Sequence, residues 1–444
     1  MTDTRTFPKG GLHPRSLGMN TLEVPIRNAH LPHFLYIPMS QHIGTPAKPV
    51  VAVGDTVKSG DLLGKASGFV SVNIHCPLPG TVTEIKKMPT AVSPAVDTVV
   101  VEVEGYFNMQ SASKQQKSWR ACSPKELTIT LQEMGIVGMG GATFPTHVKY
   151  SVPEGKTIDT LVINAVECEP YLSADYRVVM ERGKEVMEGI DICRHILGLK
   201  KAIIGIEVDT PAAISLLSDL ATGFESIEVM GLEVKYPQGA EKQLIKATLN
   251  REVPGGGLPM DIGVVVSNVG TVAAIYDAVV SGLPLTERVT TVTGNILEKP
   301  GNYKVKIGTP IKDLLEEVGL KEEPGKLILG GPMMGLCQYT DEVPVTKGTS
   351  AILVLSRKET RRYPHRPCVR CGKCIPVCPM GLNPARIVKL IELGLDQDAL
   401  DAGTMDCIEC GCCSYSCPSG RHLAQGIKLG KLHFQARRKE STGG

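Results

Sequence analysis

The sequence predicts a multidomain α/β chain, and three observations predict it. Apolar strands alternate with amphipathic helices between residues 135 and 280. Short strands broken by Gly, Pro and Asp fill residues 36–105 and return at 286–356. Eight cysteines, in two runs of identical spacing, close the chain. At roughly 150 residues per domain, 444 residues suit about three domains, each able to bury a core.

Composition excludes several classes. A formal charge of +2 leaves no basic stripe for nucleic acid, and one Trp with seven Phe leaves few stacking platforms. The start, Met1 to Arg5, has no apolar signal core, so a cytoplasmic chain is expected. The most apolar stretch, Ile262 to Leu285, is broken by Asn268 and Asp277. It reads as a buried strand (Val264 to Val266) followed by a helix (Thr271 to Val280), not a membrane span.

In order, residues 1–35 form an N-terminal segment. Residues 36–105 carry strand-and-turn signals: Pro49 to Val53, Val57, Gly60 to Gly64, Phe69 to Val72 and Thr81 to Ile85. A Ser-, Gln- and Lys-rich linker spans about 106–121. Ser123-Pro124 with Glu126 gives an N-cap, a first-turn proline and a capping box, so a helix is expected to run to about Met134 and stop at Gly135. Residues 122–285 then alternate strands (161–163, 202–206, 264–266) with helices (181–197, 211–221). Residues 286–357 are β-rich around one helix, Ile311 to Val318, which suggests a β-grasp arrangement. In residues 358–440, helices are expected after Asn383-Pro384 and after Pro418. The Arg437-Arg438-Lys439 end reads as solvated.

The cysteine runs carry the strongest chemistry. Cys368, Cys371, Cys374 and Cys378-Pro379 repeat as Cys407, Cys410, Cys413 and Cys417-Pro418. Cys-x2-Cys-x2-Cys-x3-Cys-Pro is the ligand spacing of two-[4Fe–4S] ferredoxins, in which the fourth cysteine of each run serves the other cluster. Three thiolates on one tight loop cap three corners of a cube, and the fourth must arrive from elsewhere. One cluster is therefore assigned Cys368, Cys371, Cys374 and Cys417; the other is assigned Cys407, Cys410, Cys413 and Cys378. Zinc sites and disulfides are the alternatives, and neither needs eight cysteines in this order. Cys412 breaks the spacing and reads as a bystander.

The second signal is the loop Gly138-Met139-Gly140-Gly141-Ala142-Thr143-Phe144-Pro145. It follows a helix, and Thr143 stands where the Rossmann spacing needs glycine, so the dinucleotide fingerprint fails. Glycines still admit a phosphate to backbone amides, and Lys149 is near in sequence.

Several ordered stretches carry a family resemblance: "GIVGMGGATFPTHVKY", "INAVECEPYLSADYRVV", "YPQGAEKQLI" and "VSNVGTV". Together they resemble the flavin- and NADH-binding segments of the complex I flavoprotein subunit. The "VGDTVKSGDLLG…CPLPGTVTEI" stretch resembles the barrel-sandwich hybrid of biotinyl and lipoyl carriers, without their modifiable lysine. With "KGGLHP" at Lys9 to Pro14 and the two cysteine runs, nearly the whole chain resembles the C subunit of the Rnf ion-translocating electron-transport complexes.

The resemblance implies four parts: an N-terminal barrel-sandwich hybrid, an α/β flavin/NADH-binding domain, a β-grasp soluble-ligand-binding domain and an α-helical two-[4Fe–4S] ferredoxin domain. It implies non-covalent FMN, held by Gly138, Gly140, Lys149, Asn164, Tyr236, Gly239, Ser267, Asn268 and Thr271. It places Glu167, Glu169 and Glu241 along the flavin and nicotinamide pocket, and Phe144 beside NADH. Met139, Thr143, Val166 and Ala240 depart from the complex I pattern, which has Arg, Gly, Asp and Glu there. The implied role is electron input: NADH, FMN, two clusters, then membrane and ferredoxin-like subunits, on the cytoplasmic face. No acid–base residue is expected, because hydride transfer needs none. Alternatives are a soluble flavin–iron–sulfur reductase, such as cobalamin reductase (which resembles residues 120–420), and an electron-wiring scaffold without nucleotide.

Overall fold

The structure, a computed structural model, describes residues 4–14, 21–104, 118–360 and 366–442, with side chains as far as Arg437. Most of the expected linker and the Arg438-Lys439 end of the basic tail lie outside the described residues and side chains.

Residues 34–103 fold as two small antiparallel sheets. Phe34–Pro38, Val96–Val103, Gly80–Met88 and Thr56–Val57 form one, and Lys48–Pro49, Leu62–Lys65 and Ile74–His75 the other. Leu35, Ile37, Leu63, Ile74, Val82, Val99 and Val101 fill the space between them. The strand expected at 69–72 is not one. The Phe69 carbonyl accepts from His147 Nε2 (2.8 Å) and the Val70 carbonyl from Thr45 N (3.0 Å), so loop contacts replace ladder partners. Of the 49–53 stretch, only Pro49 lies in a strand, paired with Gly64, and one further backbone bond, Val50 N to Leu63 O (2.9 Å), follows it.

Ser123 opens the Pro124–Glu133 helix through the expected capping box: its Oγ accepts from Glu126 N, and the Glu126 carboxylate accepts from Ser123 N. The central unit follows, and its elements are numbered here in chain order. They are β1 (Thr160–Asn164), α1 (Ala174–Leu197), β2 (Ala202–Glu207), α2 (Pro211–Ala221), β3 (Ile227–Leu232), α3 (Glu241–Leu249), β4 (Val264–Asn268) and α4 (Val269–Tyr276). All four strands are parallel, in the order β3-β2-β1-β4. β1, β2 and β4 are buried on both faces, which is why they read as unbroken apolar runs. α1 begins at Ala174, seven residues before the expected start at Glu181. The Glu167 carboxylate accepts from the amides of Asp175 and Tyr176, capping a first turn that local sequence does not announce.

A six-stranded mixed sheet occupies the next unit: Arg27–Asn28, Gly301–Lys306, Glu287–Thr293, Ala351–Ser356, Pro324–Leu329 and Leu336–Gln338, in spatial order. The Ile311–Val318 helix buries Ile311, Leu314, Leu315 and Val318 against it. In the last unit, Pro384–Glu392 and Leu423–Thr442 follow the two cysteine runs as expected. No helix among the described residues is long and apolar enough to cross a membrane.

The N-terminal segment ties these units together. Arg5 bridges to Leu232, Leu12 to Tyr236, and Arg27–Asn28 joins the six-stranded sheet. Gly10 has φ +65°, and a Cβ there would lie 2.5 Å from the Cys378 carbonyl, so only glycine fits. Gly11 N donates to Val377 O at 3.0 Å.

Lys347 joins three units in a similar way. Its buried Nζ donates to Asn73 O (2.9 Å) and Gly135 O (2.7 Å), and its amide donates to Gln41 Oε1. Burial pulls its pKa down from 10.5 to about 7. Between those values the unfolded chain holds more protons than the folded one, so stability from this group rises with pH across that window. Over the full window the change is on the order of a few kcal/mol. Lys347→Met is expected to flatten this rise between pH 7 and 10, measured by thermal melting of both proteins across that range.

Candidate functional site

The site begins where the sheet changes direction. β2 and β3 lie to one side of β1 and β4 to the other, so a crevice opens at the carboxyl ends of β1 and β4. Asn164 and Asn268 sit opposite each other at those ends. Asn268 caps α4: its Oδ1 accepts from Gly270 N (2.9 Å) and Thr271 N (3.4 Å), and its Nδ2 donates to Asp175 Oδ2 at 2.5 Å. Asn164 Nδ2 donates to Gly239 O (2.8 Å), and its Oδ1 accepts from Val166 N.

The glycine loop folds onto this corner. Gly138 N donates to Phe144 O (2.9 Å) and pinches the loop, while Met139 N donates to Thr271 Oγ1 (2.9 Å). A Cβ on Gly140 would meet Asn268 at 3.0 Å, so glycine permits the close approach. Among the described residues, no hydrogen bond within the chain engages the exposed amides of Gly140, Gly141 and Ala142. Thr143 adopts φ +51° where the resembling loop has glycine. Lys149 reaches the crevice wall, its Nζ donating to Val266 O (3.0 Å) and Glu241 Oε1 (3.3 Å). Free amides beside a lysine fit a phosphate, and side-chain amides on the crevice rim suit the polar edge of a heteroaromatic ring. FMN has both.

Not every expected residue meets there. Ser267 points to the opposite face, where its Oγ and the Tyr150 hydroxyl lie 2.7 Å apart in the core. Phe144 is half-buried at the loop's end. Glu167 and Glu169 line a separate cavity of about 190 Å³, together with Glu207, Asp209 and Tyr236. Burial, reinforced by Asp175, pushes the Glu167 carboxyl well above the usual range. Glu169 accepts from Met333 N (3.0 Å) and Met334 N (2.8 Å), and burial pushes it up to about 7.

Three supporting residues escaped the sequence reading. Asp175 holds Asn268, and Tyr150 holds Ser267. Arg288, from the next unit, donates to the Met139 and Lys347 carbonyls beneath the loop. Burial pulls Arg288 down to about 10, while Asp175 and Glu167 hold it up. Only contacts distant in sequence mark these residues, so no local pattern could have found them.

The cysteines separate into two environments. Cys378, Cys407, Cys410 and Cys413 line one small cavity, as the exchanged assignment requires, and Cys412 lies on its wall. Burial pushes Cys407 up to about 11 and Cys413 up to about 12, and the neighbouring thiols add to both. A hydrogen bond from Cys412 pulls Cys410 down, against burial. Cys374 is buried in the apolar core that also holds part of Cys417. The Cys368 and Cys371 thiols help raise Cys374, after burial, but are themselves exposed. Among the described residues no three His, Cys, Asp or Glu side chains converge on a single ion.

Tyr236 connects the two regions. Its buried hydroxyl donates to Cys410 O at 2.8 Å, and its ring packs on Cys410 and Cys412. Tyr236→Phe keeps the packing and orphans the carbonyl. Chemical denaturation is expected to show a loss of about 1 kcal/mol.

Comparison with known proteins matches four stretches of the chain. Residues 6–106 match the RnfC barrel sandwich hybrid domain, 131–277 the Nuo51 FMN-binding domain, 289–336 the SLBB domain and 362–418 the 4Fe-4S dicluster domain. The chain is 44% identical over 392 residues to the C subunit of the proton-translocating ferredoxin:NAD(+) oxidoreductase complex of Clostridium ljungdahlii, covering 88% of this chain and 86% of that protein. It is 41% identical over 382 residues to the C subunit of the Na(+)-translocating ferredoxin:NAD(+) oxidoreductase complex of Acetobacterium woodii, covering 86% of each. To the C subunit of the Rhodobacter capsulatus ion-translocating oxidoreductase complex it is 39% identical, over 89% of this chain and 77% of that one. A chain of the NAD+-reducing [NiFe]-hydrogenase in the H2-reduced state shares the fold at 17% identity, with a TM-score of 0.50 over 75% of this chain and 68% of that one.

Proposed function

We propose, because this chain belongs to the family of C subunits of ion-translocating ferredoxin:NAD(+) oxidoreductase complexes, that it is the electron-input subunit of such a complex. It works between NADH, FMN and two [4Fe–4S] clusters, and hands electrons to membrane and ferredoxin-like subunits. The single observation that carries this reading is the Tyr236 contact, which joins the chamber of four cysteines to the acidic cavity of the central unit.

Bound FMN exchanges two electrons with NADH and single electrons with the clusters. The chain supplies position and environment. Gly138 and Gly140 keep the loop close to Asn268 and Thr271, and the free amides with Lys149 hold the phosphate. Asn164, Gly239 and Glu241 form the opposite rim, and Ser267 fixes the end of β4 from behind. Glu169 locks the Met333 turn, which abuts Gly411 of the second cysteine run. Glu167 stiffens the start of α1, and Phe144 flanks the nicotinamide side. No side chain is assigned an acid–base role.

The finer architecture belongs to the same reading. Residues 36–105 are a barrel-sandwich module that docks without a swinging arm, 122–285 the flavin domain, 286–357 a β-grasp domain and 358–440 a helical two-cluster ferredoxin. Attachment is peripheral, on the cytoplasmic face, through partner subunits.

Anaerobic reconstitution tests the proposal. About eight irons per chain, bound flavin and bleaching of that flavin by NADH are expected. Clusters without flavin or any NADH response would reduce the chain to a wiring scaffold. A soluble form that never sediments with membranes carrying the other subunits would favour the free reductase.

A further inference from the structure

The ferredoxin unit is electrically polarised. Residues 366–391 carry five Lys or Arg and no Asp or Glu, whereas residues 392–417 carry six Asp or Glu and no Lys or Arg. The whole chain has a net charge of only +2. Three of the six acidic residues are answered within the chain. Glu392 pairs with Arg421, Asp396 with His433 and Arg437, and Glu409 with Lys428 (3.6 Å) and Lys431 (3.1 Å). The basic half is not: among the described residues, Arg366, Arg370, Lys373, Arg386 and Lys389 form no ion pair.

These cations surround the exposed cysteines. Residues 366–373 are exposed without interruption, including Cys368 and Cys371. Val369 is 67% exposed and Ile375 42%, so an apolar patch lies inside the basic rim. The Pro384–Glu392 helix buries Ile387 and Val388, leaving Arg386 and Lys389 exposed. Its first turn adjoins the loop, because Ala385, Ile387 and Val388 pack in the same apolar core as Cys374. The second run is the opposite case: its chamber is closed by Tyr236, Met333 and the N-terminal segment. Cys407, Cys410 and Cys413 face inward, whereas Cys368 and Cys371 of the first run are exposed.

Resting on the electron-input reading, we infer that the exposed first-run loop, rimmed by Arg366, Arg370, Lys373, Arg386 and Lys389, is the docking face for a one-electron carrier protein with an acidic surface. Unpaired cations around an apolar centre steer an acidic partner and let it settle with its redox centre over the exposed cysteines. Cations already paired at home could not supply that attraction.

The test uses the full reconstituted chain and a small acidic two-[4Fe–4S] ferredoxin, with association followed by surface plasmon resonance at several salt concentrations. Wild-type association is expected to weaken steeply with salt. The R366E/R370E/K373E variant is expected to associate at least about tenfold more slowly at low salt and with a shallower salt slope. The R386E/K389E variant lies outside the cysteine loop and gives the same direction even if the loop variant loads iron poorly. A K48E/K58E control on the barrel module is expected to change nothing. Unchanged ferredoxin association in R386E/K389E and in an iron-replete loop variant overturns the inference. So does ferredoxin binding that persists while the same substitutions release the chain from phosphatidylserine vesicles, since the face is then a lipid surface. Iron content and NADH bleaching are read on the same samples. Their failure in the wild type condemns the electron-input reading, whereas success with rim-independent carrier binding condemns only the docking face.

Discussion

A Cys410→Ala chain, purified anaerobically, is expected to hold about four irons instead of about eight and to lose one of two magnetic-resonance signals on reduction. The wall of the cavity loses one corner, and a C410A/C412A chain excludes replacement by the Cys412 thiol on the same wall. The backbone around it survives, because Tyr236 bonds the carbonyl of residue 410, not its sulfur. Flavin should still bleach with NADH, while reduction of ferredoxin ceases. The exchanged fourth ligand gives a sharper form of the same experiment. Cys378 lines the second-run cavity, so Cys378→Ala is expected to delete the same signal as Cys407→Ala and spare the one lost in Cys371→Ala. Loss of the first-run signal in Cys378→Ala would falsify the exchange.

Asn268→Leu is expected to weaken FMN binding by about tenfold or more and to destabilise the central unit by about 2 to 4 kcal/mol. One side chain does two jobs: it caps α4 through Gly270 and Thr271, and it holds the buried Asp175 carboxylate. Leucine has the size to fill the space but no donor or acceptor. Loss of the cap costs about 1 kcal/mol, and an unpaired buried carboxylate costs about 1 to 3 kcal/mol more. Asp175 carries a pKa raised by burial, so part of the second cost is met by protonation. Flavin retained after gel filtration and amide exchange across α4 check the two effects separately. Unchanged values for both would remove Asn268 from the site.

Local signals reached a long way into this molecule. The capping box at Ser123, the proline-started helix at Pro211 and the helix Ile311–Val318 were legible because their causes lie within a few residues of one another. Strand Ile227–Leu232 and helix Glu241–Leu249 went unread; the strand alternates only weakly and the helix lacks a side-chain cap. In the site, the loop glycines, Lys149 and both asparagines carried recognisable motifs. Arg288 and Asp175 did not, since each matters through partners more than 50 residues away.

By itself the sequence determined the cluster chemistry and the order of the parts, because cysteine spacing and strand–helix alternation are properties of the chain read along its length. Only the tertiary structure decided which cysteines are buried and which are exposed. The two runs are spelled alike, and burial is conferred by what other segments lay over them: Tyr236 and the Met333 turn over Cys410 and Gly411, the N-terminal glycines over Val377 and Cys378, and nothing described over Cys368 and Cys371.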